Sequence, residues 1–101
     1  MGYTSAIKEE CTMQIVFEEE RNRSAAYDGD RQIGECEFSL SGGEWVITHT
    51  GVRPEYGGRG IARELVGKVI EEARARKMKV VPVCSYAKKM MEGREEYADV
   101  L

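Results

Sequence analysis

One stretch constrains this chain more than any other. A β-type run ends in His49-Thr50-Gly51-Val52, the segment Arg53-Pro54-Glu55-Tyr56-Gly57-Gly58-Arg59-Gly60 turns the chain, and an amphipathic helix opens at Ile61-Ala62. A helix that starts out of glycines gathers unpaired backbone N–H groups at the positive end of its dipole. Such a spot suits an anion, most often a phosphate. Arg59 and Arg63, four residues apart on the first turns, are within reach of one anion. The plain alternative is a glycine-rich turn without a ligand. A nucleotide-hydrolysing loop would read GxxxxGK followed by Ser or Thr, a pattern this chain lacks.

The helix is the clearest element. Ile61, Leu65, Val66, Val69, Ile70 and Ala73 form one apolar stripe, opposite Arg63, Glu64, Lys68, Glu71, Glu72 and Arg74. Gly67 interrupts it, and a close backbone contact is one reason for a glycine there. Upstream, Ser24–Tyr27, Gln32–Leu40 and Glu44–Val52 read as strands, joined by turns at Asp28-Gly29-Asp30 and Ser41-Gly42-Gly43. Alternation places Cys36, Phe38 and Leu40 on the core face of the second, and Trp45, Ile47, His49 and Gly51 on one side of the third. Met13–Phe17 is a further short apolar run. Downstream, Val80-Val81-Pro82-Val83 reads as a strand, buried on both sides if central. Ser85–Leu101 reads as two short helices broken at Gly93. The expectation is one α+β domain, an antiparallel meander followed by a β-α-β unit and short C-terminal helices. Residues 1–14 are expected to be a flexible tail and 15–101 the domain.

Composition narrows the partners. A net charge of -3 argues against a nucleic-acid binder. The three cysteines Cys11, Cys36 and Cys84 form no CxxC pair, and His49 is the sole histidine, so neither a metal site nor a disulfide scaffold is expected. A reducing, cytoplasmic compartment follows from that cysteine usage. No apolar run approaches the ~20 residues of a membrane span, and the N-terminus carries no signal-peptide pattern.

With these residues in view, Thr48–Lys79 resembles the acyl-CoA core of the GNAT superfamily of N-acetyltransferases. The pyrophosphate loop of that superfamily is Arg/Gln-x-x-Gly-x-Gly/Ala. Here Gly60 and Ala62 match in Gly57-Gly58-Arg59-Gly60-Ile61-Ala62, and Gly57 stands where Arg or Gln is usual. Four blocks in order resemble a short, single-domain branch: His49-Thr50-Gly51-Val52, the glycine loop, Val81-Pro82-Val83-Cys84-Ser85-Tyr86-Ala87-Lys88 and Glu96-Tyr97-Ala98-Asp99-Val100-Leu101. The resemblance implies a small GNAT-like fold that binds acetyl-CoA or coenzyme A and transfers acetyl to an unidentified amine. It implies that the cofactor is held by Gly57, Gly58, Arg59, Gly60, Ile61, Ala62 and Arg63, with the pyrophosphate on the N–H groups of Gly58 to Ala62 and the pantetheine arm beside Thr50, Gly51 and Val52. The alternative function is a CoA-binding module that acts by interaction or sensing without efficient transfer. A monomer or weak dimer is expected.

Two residues are catalytic candidates. Cys84 follows the last strand at a helix start, a setting that favours a thiolate, and the branch resemblance points to it as the active-site residue. The competing reading is a core cysteine. His49 is a general base for the amine or for Cys84, or else a strand histidine bonded to a neighbour. No acidic residue lies between Trp45 and Arg53. Tyr86 is a packing aromatic or a cofactor contact, and Lys88 a solvated cation or a partner of a CoA phosphate.

Overall fold

Four strands, one more than the meander expected from the three clear strands, precede the long helix. The computed structural model describes residues 13–101. Strands β1 (Met13–Glu18), β2 (Arg23–Asp28), β3 (Arg31–Ser41) and β4 (Glu44–Val52) run antiparallel in that order. Helix α1 (Ile61–Ala75) crosses to β5 (Lys79–Pro82), which lies parallel to β4. Helix α2 (Ser85–Met91) and a 3-10 turn at Glu95–Tyr97 complete the chain. Of the expected tail, Met13 and Gln14 are paired in β1, and the rest lies outside the described residues, Cys11 included.

The apolar stripe of α1 packs on the sheet as its periodicity requires. Ile61, Leu65, Val66, Val69, Ile70 and Ala73 are all buried. They meet Ile33, Cys36, Phe38, Trp45 and Ile47 in one core. Ser24 is fully buried there and donates its hydroxyl to the Leu65 carbonyl at 2.7 Å. At one end of the sheet Phe17, Phe38 and Trp45 stack, with the Arg76 guanidinium over Phe17 and Trp45.

Two bulges overturn the simple alternation. Between β2 and β3 the pairing steps from Tyr27↔Gln32 to Ala26↔Gly34, leaving Ile33 as the extra residue, so Ile33 and Gly34 are both buried. Between β3 and β4 it steps from Phe38↔Ile47 to Glu37↔His49, leaving Thr48 extra. Beyond Thr48 the faces exchange. Trp45 and Ile47 face the core, but the next inward residue is Thr50, and His49 and Gly51 turn away from the side expected for them. Leu40, expected in the core, is 61% exposed near the end of its hairpin.

β5 is an edge strand, not a central one. Among the described residues it pairs in the sheet with β4 alone, Val80 is buried and Val83 lies exposed beyond its end. The C-terminal segment closes this side. Val80 N–H donates to the Val100 carbonyl, and Arg74 holds the Asp99 carboxylate with two nitrogens. Gly67 has open space where a Cβ would stand, so no close contact accounts for it. The acidic-basic run from Glu18 to Arg23 is not merely solvated. Glu18 accepts from Tyr27 and Arg23, and the Tyr27 hydroxyl foremost holds its carboxyl below the usual range.

Candidate functional site

The site grows from the point where β4 loses its second neighbour. Parallel pairing with β5 runs from Glu44↔Lys79 to Ile47↔Pro82 and ends there. Val83 and Cys84 both donate their N–H to the Ile47 carbonyl, at 3.0 and 2.9 Å, and the chain then leaves into α2. Residues Thr48–Val52 therefore keep β3 on one side only, among the described residues, and present an open edge.

That edge leads into the glycine loop. Pro54–Tyr56 forms a 3-10 turn whose end, Gly57, donates its N–H to Pro54 at 3.0 Å. Gly57 thus spends its donor inside the turn and leaves the cradle to the residues after it. Gly58 and Gly60 both sit at φ +77°, a conformation that L side chains resist. Gly60 caps α1, and among the described residues no side chain caps the helix start. The first intrahelical bond runs from Glu64 N–H to the Gly60 carbonyl, so the donors of Ile61, Ala62 and Arg63 precede it. Ile61 places its side chain in the core while its N–H stays at the loop.

The Arg59 guanidinium lies 5.2 Å from the centroid of the Tyr56 ring, and the Tyr56 hydroxyl donates to Asp28. Arg63 is exposed in the first turn of α1. Burial pushes the Tyr97 hydroxyl above its usual range, and the positive charges of Arg63 and Arg94 oppose that shift.

Cys84 is the N-cap of α2, half-buried beside the open edge. Its sulfur accepts from Ala87 N–H at 3.4 Å and lies 3.4 Å from Thr50 Oγ1. The same hydroxyl lies 3.6 Å from Cys36 Sγ. Burial pushes the Cys36 thiol up to about 12, so it stays protonated at neutral pH. Tyr86 is 40% exposed in the first turn of α2, and Lys88 is exposed on the same helix.

His49 is not beside Cys84. Adjacent residues of a strand face opposite ways, so Thr50 meets the thiols while His49 turns to the other face. There its Nε2 lies 2.8 Å from Glu35 Oε2. The expectation of His49 as a base for Cys84 is not met by this geometry. Glu35 is the residue that sequence reasoning missed. With uninterrupted pairing from the Gly42-Gly43 turn, Glu35 would oppose Thr50. The Thr48 bulge moves it opposite Gly51, and diagonal to His49.

The family model of the GCN5-related N-acetyltransferases matches residues 23–100. A GCN5-like protein from Staphylococcus aureus is similar at 33% identity over 88% of this chain and 87% of its own, with a TM-score of 0.69. Two more distant structures share the fold. A protein from Clostridium acetobutylicum described as a predicted acetyltransferase, solved with acetyl-CoA, is 18% identical over 72% of this chain and 57% of its own, with a TM-score of 0.57. The ribosomal-protein-S18-alanine N-acetyltransferase of Escherichia coli is 15% identical over 86% and 66%, with a TM-score of 0.59. No curated protein matches the chain. No described helix is long and apolar enough to cross a membrane. With the family model spanning nearly all of the sheet, α1 and the C-terminal elements, this chain belongs to the GCN5-related N-acetyltransferase family.

Proposed function

We propose that this chain binds acetyl-CoA along the open edge of β4 and transfers the acetyl group to a primary amine, with Cys84 as the first acceptor. The observation that carries the reading is the end of β4–β5 pairing at Ile47 and Pro82, directly beside Cys84 and continuous with the glycine loop. Three features fit the cofactor of this family. Thr50–Val52 offer a free strand edge to the amide groups of a pantetheine arm. Gly58 and Gly60 at φ +77° bring bare backbone to the loop surface. The uncapped start of α1 offers the N–H groups of Ile61, Ala62 and Arg63 to a pyrophosphate.

Bound there, acetyl-CoA supplies an activated acyl group. The chain's own part is to hold the thiol. Thr50 Oγ1 and Ala87 N–H fix the Cys84 sulfur from two sides. On acylation Cys84 Sγ would lose its proton and form an S–C bond to the acetyl carbon as the thioester C–S bond breaks, the leaving CoA sulfur keeping the electron pair and taking up a proton. Cys36, buried and protonated, is excluded from that role.

Intact mass after incubation with acetyl-CoA tests the reading. One added acetyl group, mapped to the peptide carrying Cys84 and lost in Cys84→Ala, is the expected result. Cys84→Ala should keep its affinity for CoA, since the loop is a separate part of the site. A Cys84→Ala variant that transfers acetyl to amines as fast as wild type would remove the covalent route.

A further inference from the structure

On the face of the sheet away from α1, hydrogen bonds cross four strands and end at His49. Tyr27 and Arg23 both donate to Glu18, at 2.5 and 2.7 Å. Arg23 donates to Gln32 Oε1 at 3.4 Å, and Gln32 Nε2 donates to Glu35 Oε1 at 3.1 Å. Glu35 Oε2 then holds His49 Nε2 at 2.8 Å. Both carboxylate oxygens of Glu35 are engaged. An ionised carboxylate only accepts, so the neutral ring carries its proton on Nε2 and keeps its lone pair on Nδ1.

Gly51 leaves room for this pair. A Cβ there would stand 3.0 Å from His49 Nε2 and 3.2 Å from Glu35 Oε2. Beside the pair lies a cavity of about 390 Å³, lined by Gln32, Glu35, His49, Gly51, Val52 and Arg53. Gly51 and Val52 belong to the open edge of β4, so the cavity adjoins the acetyl-CoA seat from the face opposite Cys84. Among the described residues, the charged groups around the ring are Glu35 and Glu37 of β3, the latter the cross-strand partner of His49, with Arg53 beyond β4 and Arg23 from β2 behind Gln32.

We propose that this cavity seats the acceptor amine and that Glu35 is a positioning residue, holding His49 so that Nδ1 serves as the base. The inference rests on the acetyl-CoA reading above. Glu35 and Glu37 draw an ammonium to the seat. His49 Nδ1 takes one of its protons. The freed lone pair forms the C–N bond to the acetyl carbon and the C–S bond to Cys84 Sγ breaks. The departing sulfur keeps the electron pair and takes the second proton that the amide nitrogen sheds, while His49 returns its own to solvent. Nucleophile and sulfur thus come to the edge of β4 from opposite faces.

Two experiments test it, with n-butylamine as the probe. His49 is the sole histidine, so its ring signals in NMR are unambiguous. Without acetyl-CoA, millimolar n-butylammonium should shift the His49 ring and the Gly51 amide in wild type, and less in Glu35→Gln. Shifts confined to other residues would overturn the seat. In the second, CoA release from acetyl-CoA is followed with n-butylamine present. His49→Ala should lower kcat about 100-fold or more, and Glu35→Gln about 10-fold or more. The double variant should be no slower than His49→Ala, because Glu35 acts through the ring. Multiplying losses in the double variant would overturn the positioning role. Steady-state release beyond the single equivalent freed by acylation of Cys84 that does not rise with n-butylamine, in wild type that still binds acetyl-CoA, would overturn the seat alone, whereas absence of acetyl-CoA binding would strike the underlying reading.

Discussion

The two halves of β4 have different fates. Its first half, Glu44–Ile47, is paired on both sides and sinks Trp45 and Ile47 into the core, 5% and 0% exposed. Its second half, Thr48–Val52, is paired on one side, polar and half-exposed. The change occurs within two residues. On one flank Val83 and Cys84 both spend their N–H on the Ile47 carbonyl and the chain leaves the ladder, and the Thr48 bulge rotates the strand on the other. Burial specifies the first half. The second keeps its backbone edge and polar side chains for chemistry, at the expense of the packing that stabilises the first.

The sharpest way to break this contrast is to truncate each half. Ile47→Ala should destabilise the fold by ~2–5 kcal/mol, read by denaturant unfolding, while Thr50→Ala should cost under about 1 kcal/mol. Equal losses would mean that the second half is structural too. Next comes the loop that the second half feeds. Gly60→Val places a β-branched residue at φ +77°, with local strain of ~1–3 kcal/mol, and should abolish acetyl-CoA binding in calorimetry while the domain still folds cooperatively. Wild-type affinity would remove the loop from the account.

A finer effect separates the two thiols that flank Thr50. At pH 8 iodoacetamide should label Cys84 and spare Cys36, whose thiol burial holds up at about 12. A peptide map reads the result, and equal labelling would deny the enclosed environment of Cys36. The smallest effect lies away from both halves. Gly67→Ala meets no atom within 4 Å and should stabilise the domain by ~0.5–1 kcal/mol. Destabilisation would point to a partner on that face of α1.

Much of this was legible in the sequence. The stripe from Ile61 to Ala73 and the glycine loop follow from periodicity and backbone freedom, both local properties, and the structure keeps both. The pairing of His49 with Glu35 was not legible, because it depends on a one-residue slip at Thr48. Neither β3 nor β4 carries a glycine or proline at that slip to mark it. The same slip places Thr50, read as a cofactor contact, against two sulfurs. Leu40 misled for a related reason: alternation reports which residues share a face, and it says nothing of how far along the strand the core extends. Met13–Glu18 is a strand because β2 and the Phe38–Trp45 stack receive it, long-range contacts that a short apolar run does not announce.

The central claim is that the open edge of β4 above Ile47 and the glycine loop form one acetyl-CoA seat. A residue-resolved amide NMR titration with acetyl-CoA tests it most directly. The account predicts the largest shifts at Thr50–Val52, Gly58–Arg63 and Cys84, with Glu44–Ile47 unmoved. Binding that leaves Thr50–Val52 and Gly58–Arg63 unshifted, or that shifts Glu44–Ile47 instead, would contradict it.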